Sequence, residues 1–586
     1  MNKYTFTAFI KKYKWRYLLG IIWLIMVDIL QLVIPRLLGN FTDNLEQGVL
    51  DRQGIWRYVF LIIMVALGTA VFRFLWRLFI NGTSRLLEKE FREDFYRHLQ
   101  SLSTNYYNQN KTGDLMAHAT NDINAVRNAL GPGIVMLADA VFLTVATIGL
   151  LLFTIDYRLT LLALIPLPFL TLLSTKFGKI IHRKFRRVQK AFSHLTDKVQ
   201  ENFSGIRVVK AFALEEDEVD RFAEANKNNR EQNIDLIKSW GLFGPLVQFI
   251  SGLSFVIVLW YGGILVIRGV ISLGEFVAFN SYLGMLTWPM MAVGFVINIL
   301  QRGSASLERL NLIFSEKPEI TDSSFIRNIE ELKGEIEFNN LSFRFNQKEE
   351  YVLKNINLKI NAGETAAIIG RTGSGKSTLV NLLLRLYDPE PDTLFIDGYP
   401  INEIPLKVLR EEIGYVPQDN FLFSTDIEKN IAFADPELSR DKVKKAAKDA
   451  QIYDNIVEFP DSFSTILGER GVTLSGGQKQ RISIARALIK KPKILILDDS
   501  LSAVDTKTEE KILKNLQQIM TDRTCIIISH RISTIKNADK IFVIDEGEII
   551  ERGDHATLLK KQGLYYQLYQ KQLLEEKLAG EERNYE

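Results

Sequence analysis

The sequence predicts a membrane-embedded all-α domain fused to an α/β domain with a largely parallel core sheet. Three observations lead to this fold class. Six long apolar stretches lie before residue 301, short apolar runs alternate with helical segments after residue 334, and a glycine-rich run occupies residues 370–378. The chain has 586 residues, which is too long for a single hydrophobic core. At least two domains are therefore expected.

The first half contains six stretches with the length and composition of membrane spans. A spanning helix needs about 20 mostly apolar residues. The candidate stretches are residues 17–38, 58–80, 134–155, 159–177, 243–267 and 276–300. Six buried helices of a soluble protein are the alternative, but the charges that flank the stretches are patterned as they are around membrane spans.

Basic residues predict the orientation of the spans. Five lysines and arginines precede the first stretch, which favours a cytoplasmic N-terminus. The membrane expected for the protein is the plasma membrane. The connections 81–133 and 178–242 then lie inside, and they are long and polar. We expect the spanning helices to continue into them as stalks. Residues 106–115 and the stretch near Phe212 would form short crossing segments at the far ends of these stalks.

Several residues within the spans have two possible roles. Asp28 and Asp139 would attract a cation if they faced a water-filled cavity, or Asp28 would pair with another helix. A stripe on the last span would line an adaptable pocket, or it would pack or contact lipid; it comprises Trp288, Met290, Met291 and Phe295. Periodicity does not decide between these roles.

A polar segment separates the two halves. It contains Pro318 and has no long apolar period, so we place the transmembrane domain at 1–320, a linker at 321–333, the second domain at 334–575 and a polar tail at 576–586. The net charge of +3 comes from 72 basic and 69 acidic residues, which is not the signature of a nucleic-acid binder. The single cysteine, Cys525, lies in an apolar run and is expected to pack in the core.

The glycine-rich run fits the pattern G-x-x-x-x-G-K-[ST] of phosphate-binding loops. Its backbone N–H groups would point at one anion, and the helix that follows adds a partial positive charge at its N-terminus. The predicted nucleotide-binding residues of the loop are Gly370, Arg371, Thr372, Gly373, Ser374, Gly375, Lys376, Ser377 and Thr378. Lys376 would reach the β- and γ-phosphates, and Ser377 would hold Mg²⁺.

Five further pieces follow the loop in order. Gln418 ends one strand and would reach Mg²⁺ or a water, and Asp498 ends another as a Mg²⁺ ligand beside Asp499, which would polarise the attacking water. His530 follows a third strand and could hydrogen-bond a γ-phosphate. Two further segments complete the order. Leu474-Ser475-Gly476-Gly477-Gln478 lies between Gln418 and Asp498 and opens a helix, and Ser502-Ala503-Val504-Asp505 lies between Asp499 and His530. Each piece alone has an ordinary structural explanation, and the ordered set is what indicates a nucleotide site.

This ordered set resembles the nucleotide-binding domain of ABC transporters, and six preceding spans resemble an ABC exporter half-transporter. The resemblance covers essentially the whole chain and implies an ATP hydrolase coupled to transport, with ATP and Mg²⁺ as ligands. It adds Phe345 as the aromatic residue that stacks on adenine, and Ser475, Gly476, Gly477, Gln478 and Asp505 as nucleotide contacts. It implies Asp499, His530 and Gln418 as catalytic residues, and Ser377, Gln418 and Asp498 as metal ligands. The segments Thr112-Gly113-Asp114 and 204–212 are similar to the family's intracellular-loop motifs.

One departure from the family pattern concerns Asp499, because the family has glutamate there. An aspartate withdraws the carboxylate by about 1.5 Å, one C–C bond, and a misplacement of about 1 Å can cost on the order of 100-fold in rate. The run Leu474–Gln478 matches the signature of this family. The family assembles two domains head to tail, with each ATP between one chain's phosphate loop and the other chain's signature. A chain with a short carboxylate at its own site and an intact signature therefore resembles one subunit of a bacterial heterodimeric multidrug exporter. Such a subunit pairs with a second, different half-transporter.

The function implied is export of amphipathic drugs or lipid-like compounds by alternating access. A homodimeric lipid flippase is the alternative, since it shares every motif except the weak Asp499. A soluble ABC-type ATPase acting on DNA or ribosomes would share only the second half of the chain. The six apolar stretches argue against that third class.

Overall fold

The computed structural model describes residues 4–322, 326–346, 350–435, 437–468, 474–499, 520 and 522–582. The chain forms two compact units, described separately below. The first comprises Asn110–Lys317 together with the chain up to Ser101, and the second comprises Leu102–Gln109 together with the chain from Pro318.

The first unit is entirely helical. Its helices are α1 Phe6–Lys12, α2 Lys14–Glu46, α3 Arg52–Ser101, α5 Thr112–Thr154, α6 Tyr157–Ser204, α7 Ile206–Ala211, α8 Glu215–Ile267 and α9 Leu273–Ser315. Helix α4, Thr104–Gln109, belongs to the second unit. Single π-helical turns interrupt α3, α5 and α8 at Arg77–Asn81, His118–Asp122, Ala129–Gly133 and Val258–Gly262.

Six of these helices are long and apolar enough to cross a membrane, which confirms the predicted number of spans. In α3, no residue of the most apolar stretch is buried inside the protein. Phe60, Leu67 and Phe74 on this helix are more than half exposed. Such a surface is costly in water and favourable in lipid, so the apolar exterior agrees with a multi-pass membrane protein.

The backbones of α2 and α9 meet closely near the end of α2. A Cβ atom at Gly274 would overlap the carbonyl oxygen of Gly39. The Asp43 carboxylate accepts hydrogen bonds from the Ser272 Oγ hydroxyl at 2.7 Å and from the Gly274 N–H at 2.6 Å. The first spanning helix thus caps the N-terminus of the last one, where the helix dipole favours an anion.

In its described residues, the second unit contains ten strands in two sheets. The strands are β1 Ile336–Phe343, β2 Leu353–Ile360, β3 Thr365–Gly370, β4 Leu394–Ile396, β5 Tyr399–Pro400, β6 Ile413–Val416, β7 Ile494–Asp498, β8 Thr524–Ile528, β9 Lys540–Asp545 and β10 Glu548–Gly553. The smaller, antiparallel sheet has the order β2-β1-β4-β5, and the larger has the order β10-β9-β3-β8-β7-β6. All neighbours in the larger sheet are parallel except β10 and β9. The predicted parallel core sheet is confirmed.

Helices cover this larger sheet. They are α10 Lys376–Leu383, α11 Leu406–Glu412, α12 Ile427–Ile431, α13 Arg440–Asp449, α14 Tyr453–Glu458, α15 Gly476–Leu488, α16 Ile532–Ile535, α17 His555–Lys561 and α18 Leu564–Glu582. Strands β7 and β8 are buried along their whole length, as expected for central parallel strands rich in isoleucine and leucine. Cys525 is buried in β8, and burial raises the pKa of its thiol to about 12. The core position expected for it is confirmed.

Candidate nucleotide site

Four neighbouring parallel strands carry the predicted site residues at their carboxyl ends. In the sheet order β3-β8-β7-β6, these ends lead into the Gly370 loop, Ser529-His530, Asp498-Asp499 and the turn that contains Gln418. Ligands of parallel sheets bind at this edge, because the loops that follow the strands converge there. The structure therefore brings together groups that are up to 160 residues apart, from Gly370 to His530.

The phosphate loop depends on two kinds of glycine. Gly373 and Gly375 have φ values of +83° and +96°, a region that side chains with a Cβ rarely adopt. Gly370 is needed for space instead, because a Cβ there would overlap the carbonyl oxygen of Ile544 in β9. The loop can therefore curl tightly against the sheet and open directly into α10.

Lys376, the first residue of α10, folds back over the loop. Its Nζ donates to the carbonyl oxygens of Gly370 at 3.0 Å and Arg371 at 2.7 Å, and the residue is only 6% exposed. Burial lowers the pKa of the Lys376 ammonium below its usual value, and the nearby Asp498 and Asp499 carboxylates oppose this effect. The ammonium thus lies within the cradle in which the phosphates of a nucleotide would be held.

Asp498 and Ser377 form the group of oxygen ligands suited to Mg²⁺. Asp498 ends the buried strand β7 and is 3% exposed. Burial raises the pKa of its carboxyl, while a hydrogen bond from Ser377 and the charges of Lys376 and His530 lower it. A carboxylate and a hydroxyl in contact fit the oxygen preference of this ion. When bound, Mg²⁺ would neutralise charge on the phosphate oxygens.

Asp499 lies one residue beyond the sheet in a strained backbone conformation. Its φ is +45°, a value that aspartate tolerates better than most residues. Its N–H donates to the Ile528 carbonyl of β8 at 2.8 Å, and its carbonyl accepts from Gln480 Nε2 of α15 at 3.3 Å. The main chain at Asp499 is thus tied both to the neighbouring strand and to the helix that follows the signature.

The signature residues form a capping box at the start of α15. The Gln478 N–H donates to Ser475 Oγ at 3.3 Å, and the Ser475 N–H donates to Gln478 Oε1 at 2.9 Å. Leu474 is buried in the core, whereas Ser475 and Gly476 are exposed. This arrangement fixes the helix start and presents its exposed end to solvent. The remaining predicted contact, Asp505, and the segment Ser502–Asp505 lie outside the described residues.

Phe345 belongs to an aromatic cluster in the second unit. Its ring lies edge-on to Phe343 at 5.2 Å and to Tyr387 at 5.1 Å between centroids, and Phe345 is 37% exposed. The Tyr387 hydroxyl accepts a hydrogen bond from Asn108 Nδ2 of helix α4 at 2.7 Å. The Glu319 carboxylate further holds the α4 segment by accepting from Ser103 Oγ at 2.8 Å and Asn105 Nδ2 at 3.1 Å.

Helix α4 refines the prediction for the first crossing segment. The polar run 106–115 was expected to form it, and the part grouped with the second unit ends at Gln109. Thr112, Gly113 and Asp114 belong instead to the start of α5. The sequence signal for the contact lay in the polar residues that precede the glycine, because their side chains supply the hydrogen bonds.

Gln418 and His530 are both exposed at the edge of the sheet. The loop at His530 is held by Gln572 of α18, a residue that the sequence analysis did not single out. Gln572 Nε2 donates to the His530 carbonyl, and its Oε1 accepts from the Ile532 N–H at 2.8 Å. No motif marks Gln572, because one glutamine in a polar C-terminal helix has no distinguishing pattern.

Replacing Gln572 by alanine is expected to loosen the His530 loop. Two hydrogen bonds of about 1 kcal/mol each are lost, so the Ile532 amide should exchange with deuterium about 30-fold faster. Hydrogen-exchange mass spectrometry of the peptide that contains residue 532 measures this. Gln570→Ala, on the exposed part of the same helix, is the matched control and should leave the rate unchanged. Equal protection of residue 532 in Gln572→Ala and the parent protein would show that the glutamine does not hold the loop.

The fold and the site together define a membrane-spanning P-loop ATPase. Residues 17–290 match the family described as "ABC transporter transmembrane region", and residues 353–502 match "ABC transporter". The chain belongs to the ABC transporter family, and it hydrolyses ATP in a reaction coupled to transport across a membrane.

Relatives in this family are similar over nearly the whole chain. A Bacillus subtilis protein named "Probable multidrug resistance ABC transporter ATP-binding/permease protein YheI" is 40% identical over 97% of each chain. The Escherichia coli protein "Multidrug resistance-like ATP-binding protein MdlA" is 36% identical over 97% of this chain and 96% of that one. A Syntrophus aciditrophicus protein named "ATP-dependent lipid A-core flippase" is 36% identical over 89% and 86%.

A solved structure has the same fold. The bacterial Atm1-family ABC exporter with ATP bound superimposes with a TM-score of 0.79 at 26% identity, covering 95% of this chain and 99% of that one. The exporter fold expected from the six spans and the ATPase domain is confirmed.

Proposed function

We propose that the chain is one half of a heterodimeric exporter in the plasma membrane, with its N-terminus and ATPase domain in the cytoplasm. It moves amphipathic drugs or lipid-like compounds outward, and its own ATP site hydrolyses slowly. The observation that carries the proposal is the combination of Asp499 with a well-formed signature. Asp499 gives this chain's own site a short carboxylate. The signature is a capped helix start that faces solvent, so it is available to the partner's site. The multidrug-related names of two relatives support the substrate class.

A cavity in the helical unit supports amphipathic substrates. It has a volume of about 480 Å³ and lies between α6, α8 and α9. Its wall combines aromatic rings with basic groups, namely Phe185, Trp240, Phe243, Phe295, Lys179, His182 and Arg302. The aromatic rings would bury the apolar part of a substrate, and the basic side chains would bind a polar or acidic group at its other end. The sequence allowed either pocket lining or packing for four residues of α9; of these, Phe295 lines this cavity and Met290 packs against the apolar core of the unit.

An exposed apolar patch supports docking of a second chain. Helix α7 and its flanks carry Phe203, Val208 and Phe212, which are 74%, 60% and 72% exposed. Three large apolar groups around one short helix are unfavourable in water and typical of a protein interface. The second crossing segment, near Phe212, would thus rest on the ATPase domain of the partner, while α4 is held by Glu319 and Tyr387 of its own chain.

Each side chain of the site has a defined task in this proposal. The phosphate loop and Lys376 would bind the ATP phosphates, and Phe345 would stack on the adenine. Ser377, Asp498 and Gln418 would hold Mg²⁺. Asp499 would accept a hydrogen bond from the attacking water, and His530 would hydrogen-bond the γ-phosphate. The shorter Asp499 side chain places its carboxylate farther from that water, which lowers the rate at this chain's loop. Ser475 and the amides of Gly476 and Gly477 complete the site built on the partner's phosphate loop. Closure of the two domains would drive the spans between inward-open and outward-open states, provided that ATP binds the closed state more tightly.

The decisive experiment compares the chain alone with the chain and a coexpressed partner half-transporter that carries glutamate at the matching position. Vanadate trapping of photoreactive nucleotide should label the partner's loop and spare the Gly370 loop. Full ATPase activity of the chain purified alone, with trapping at its own loop, would contradict the heterodimer and favour the homodimeric flippase. The name of one relative, "ATP-dependent lipid A-core flippase", supports that second function.

Removing the Tyr387 hydroxyl is expected to uncouple transport without weakening ATP binding. Tyr387→Phe loses the hydrogen bond from Asn108 but keeps the ring against Phe345. One such bond contributes about 1 kcal/mol, so substrate stimulation of the ATPase should fall about fivefold. Parallel measurements of nucleotide affinity and of stimulation by a transported dye test this.

Two further variants sharpen that comparison. Asn108→Ala removes the donor of the hydrogen bond to Tyr387 and should reduce substrate stimulation of the ATPase as Tyr387→Phe does. Tyr387→Ala also removes the ring beside Phe345, so it should weaken nucleotide binding as well. Reduced ATP affinity in Tyr387→Phe, with normal stimulation, would contradict a coupling role for this hydrogen bond.

A further inference from the structure

Asp28 in α2 is a buried carboxylate with no hydrogen-bond donor. It is 1% exposed, and neither of its carboxylate oxygens has a partner in the part of the chain that the structure describes. An uncompensated charge in such a place is costly, and more so in a bilayer. Some group must therefore satisfy these oxygens.

A second carboxylate interacts with Asp28: half-buried Asp139 lies in the Ile134–Thr154 stretch of α5, and this stretch packs against α2. Two ionised carboxylates have only acceptor oxygens, so they cannot hydrogen-bond to each other. A single proton converts one of them into an O–H donor and joins the two.

The charges around Asp28 and Asp139 favour a single proton bound to the pair. Of the helices packed against α2, α3 contributes Arg73, which attracts the Asp28 carboxylate without hydrogen-bonding to it, and α5 contributes Asp139. Helix α9 has no charged residue from 276 to 301, and α1, which also contacts α2, carries Lys11 and Lys12, of which Lys12 pairs with Glu90. Two carboxylates, one proton and one guanidinium sum to zero, the least costly state in an apolar bundle.

We propose that Asp28 and Asp139 form a proton-binding site within the membrane, in which one shared proton hydrogen-bonds α2 to α5. Asp139 is the more exposed of the two and provides the route by which the proton enters and leaves. Any rearrangement that separates α2 from α5 breaks the shared hydrogen bond and favours release of the proton. The contact between the first and third spans is thus pH-dependent.

Dicyclohexylcarbodiimide tests the site, because this apolar reagent reacts with protonated carboxyl groups in membranes. The full-length transporter, in detergent or vesicles, should take up one adduct per chain at Asp28 or Asp139, located by peptide mass spectrometry. Labelling should fall about tenfold for each pH unit above its midpoint. Absence of labelling at both positions across about pH 5 to 9, a range that covers strongly shifted carboxyls, overturns the proposal.

Variants separate sharing from independent protonation. In Asp28→Asn the amide donates to Asp139 in place of the proton, so Asp139 should stay ionised and unlabelled while the protein folds. Asp43→Asn, in the same helix, is the matched control and should label as the parent does. Continued labelling of Asp139 in Asp28→Asn would show that the two groups do not share a proton, and protection by Na⁺ at constant pH would identify a metal-cation site instead.

A second readout does not depend on chemical modification. The thermal midpoint of the parent in detergent should decrease as pH rises through the labelling midpoint, since the hydrogen bond between α2 and α5 is lost. The midpoint of Asp28→Asn should lack this step, because the amide donor does not titrate. Identical pH profiles for the two proteins count against the site.

Discussion

Replacing Asp499 by glutamate is expected to raise ATP hydrolysis at this chain's own site by about 100-fold, since the added methylene restores roughly the 1 Å on which such rates depend. The substitution leaves the main-chain hydrogen bonds to Ile528 and Gln480 in place. Nucleotide trapping at the Gly370 loop, measured on the purified pair, should rise from background to the level of the partner's loop. The effect is on turnover, and ATP affinity should change little.

The backbone at position 499 provides a control for this prediction. Its φ of +45° suits aspartate better than glutamate, so Asp499→Glu should cost about 1 kcal/mol in the free energy of unfolding. Asp499→Asn keeps the length and removes the charge, and it should not raise hydrolysis. Unchanged hydrolysis in Asp499→Glu, with trapping still confined to the partner's loop, would show that carboxylate length does not limit this site.

Replacing Ser475 by alanine is expected to reduce the ATPase activity of the pair about 100-fold, as removal of one transition-state hydrogen-bond donor typically does. Because the signature serves the partner's competent site, this loss should exceed the loss caused by Lys376→Ala, which disables only the slow site. The comparison of the two variants in the same purified pair is the measurement. Ser475→Thr keeps the hydroxyl and should retain most of the activity.

Loss of the capping box needs its own control, because Ser475 Oγ also accepts from the Gln478 N–H. Asp554 caps α17 through the Thr557 N–H at 2.7 Å, so Asp554→Ala removes an equivalent cap, worth about 1 kcal/mol, away from the nucleotide. It should lower stability and leave turnover unchanged. If Lys376→Ala abolished activity while Ser475→Ala preserved it, the chain's own loop would be the working site and the heterodimer proposal would fail.

The sequence alone predicted the fold class because its signals are local. Apolar stretches of spanning length, the glycine pattern of residues 370–378, and buried strands such as β7 and β8 each follow from neighbouring residues. The order of Gln418, Asp498 and His530 behind the glycine-rich run then indicated a nucleotide site. The resemblance to one family supplied the roles of Phe345 and the signature, which no local pattern assigns.

Other features depend on side chains that are distant in sequence. Gln572 holds the His530 loop from a helix without a motif, and Asn108 meets Tyr387 across 279 positions. For Asp28, the sequence allowed either a cation site or a helix pair, and the structure places it against Asp139. For Met290, the sequence allowed either a pocket or packing, and the structure packs it against the apolar core of the helical unit.

What the sequence by itself determined is which elements form and which chemistry they carry, since helix length, strand pattern and glycine spacing are set by adjacent residues. What only the tertiary structure decided is which polar groups meet: Gln572 holds the His530 loop, Asn108 donates to Tyr387, and α2, which carries Asp28, packs against the stretch of α5 that carries Asp139. The physical reason is that a hydrogen bond requires donor and acceptor within about 3 Å, and chain packing, rather than composition, brings them there.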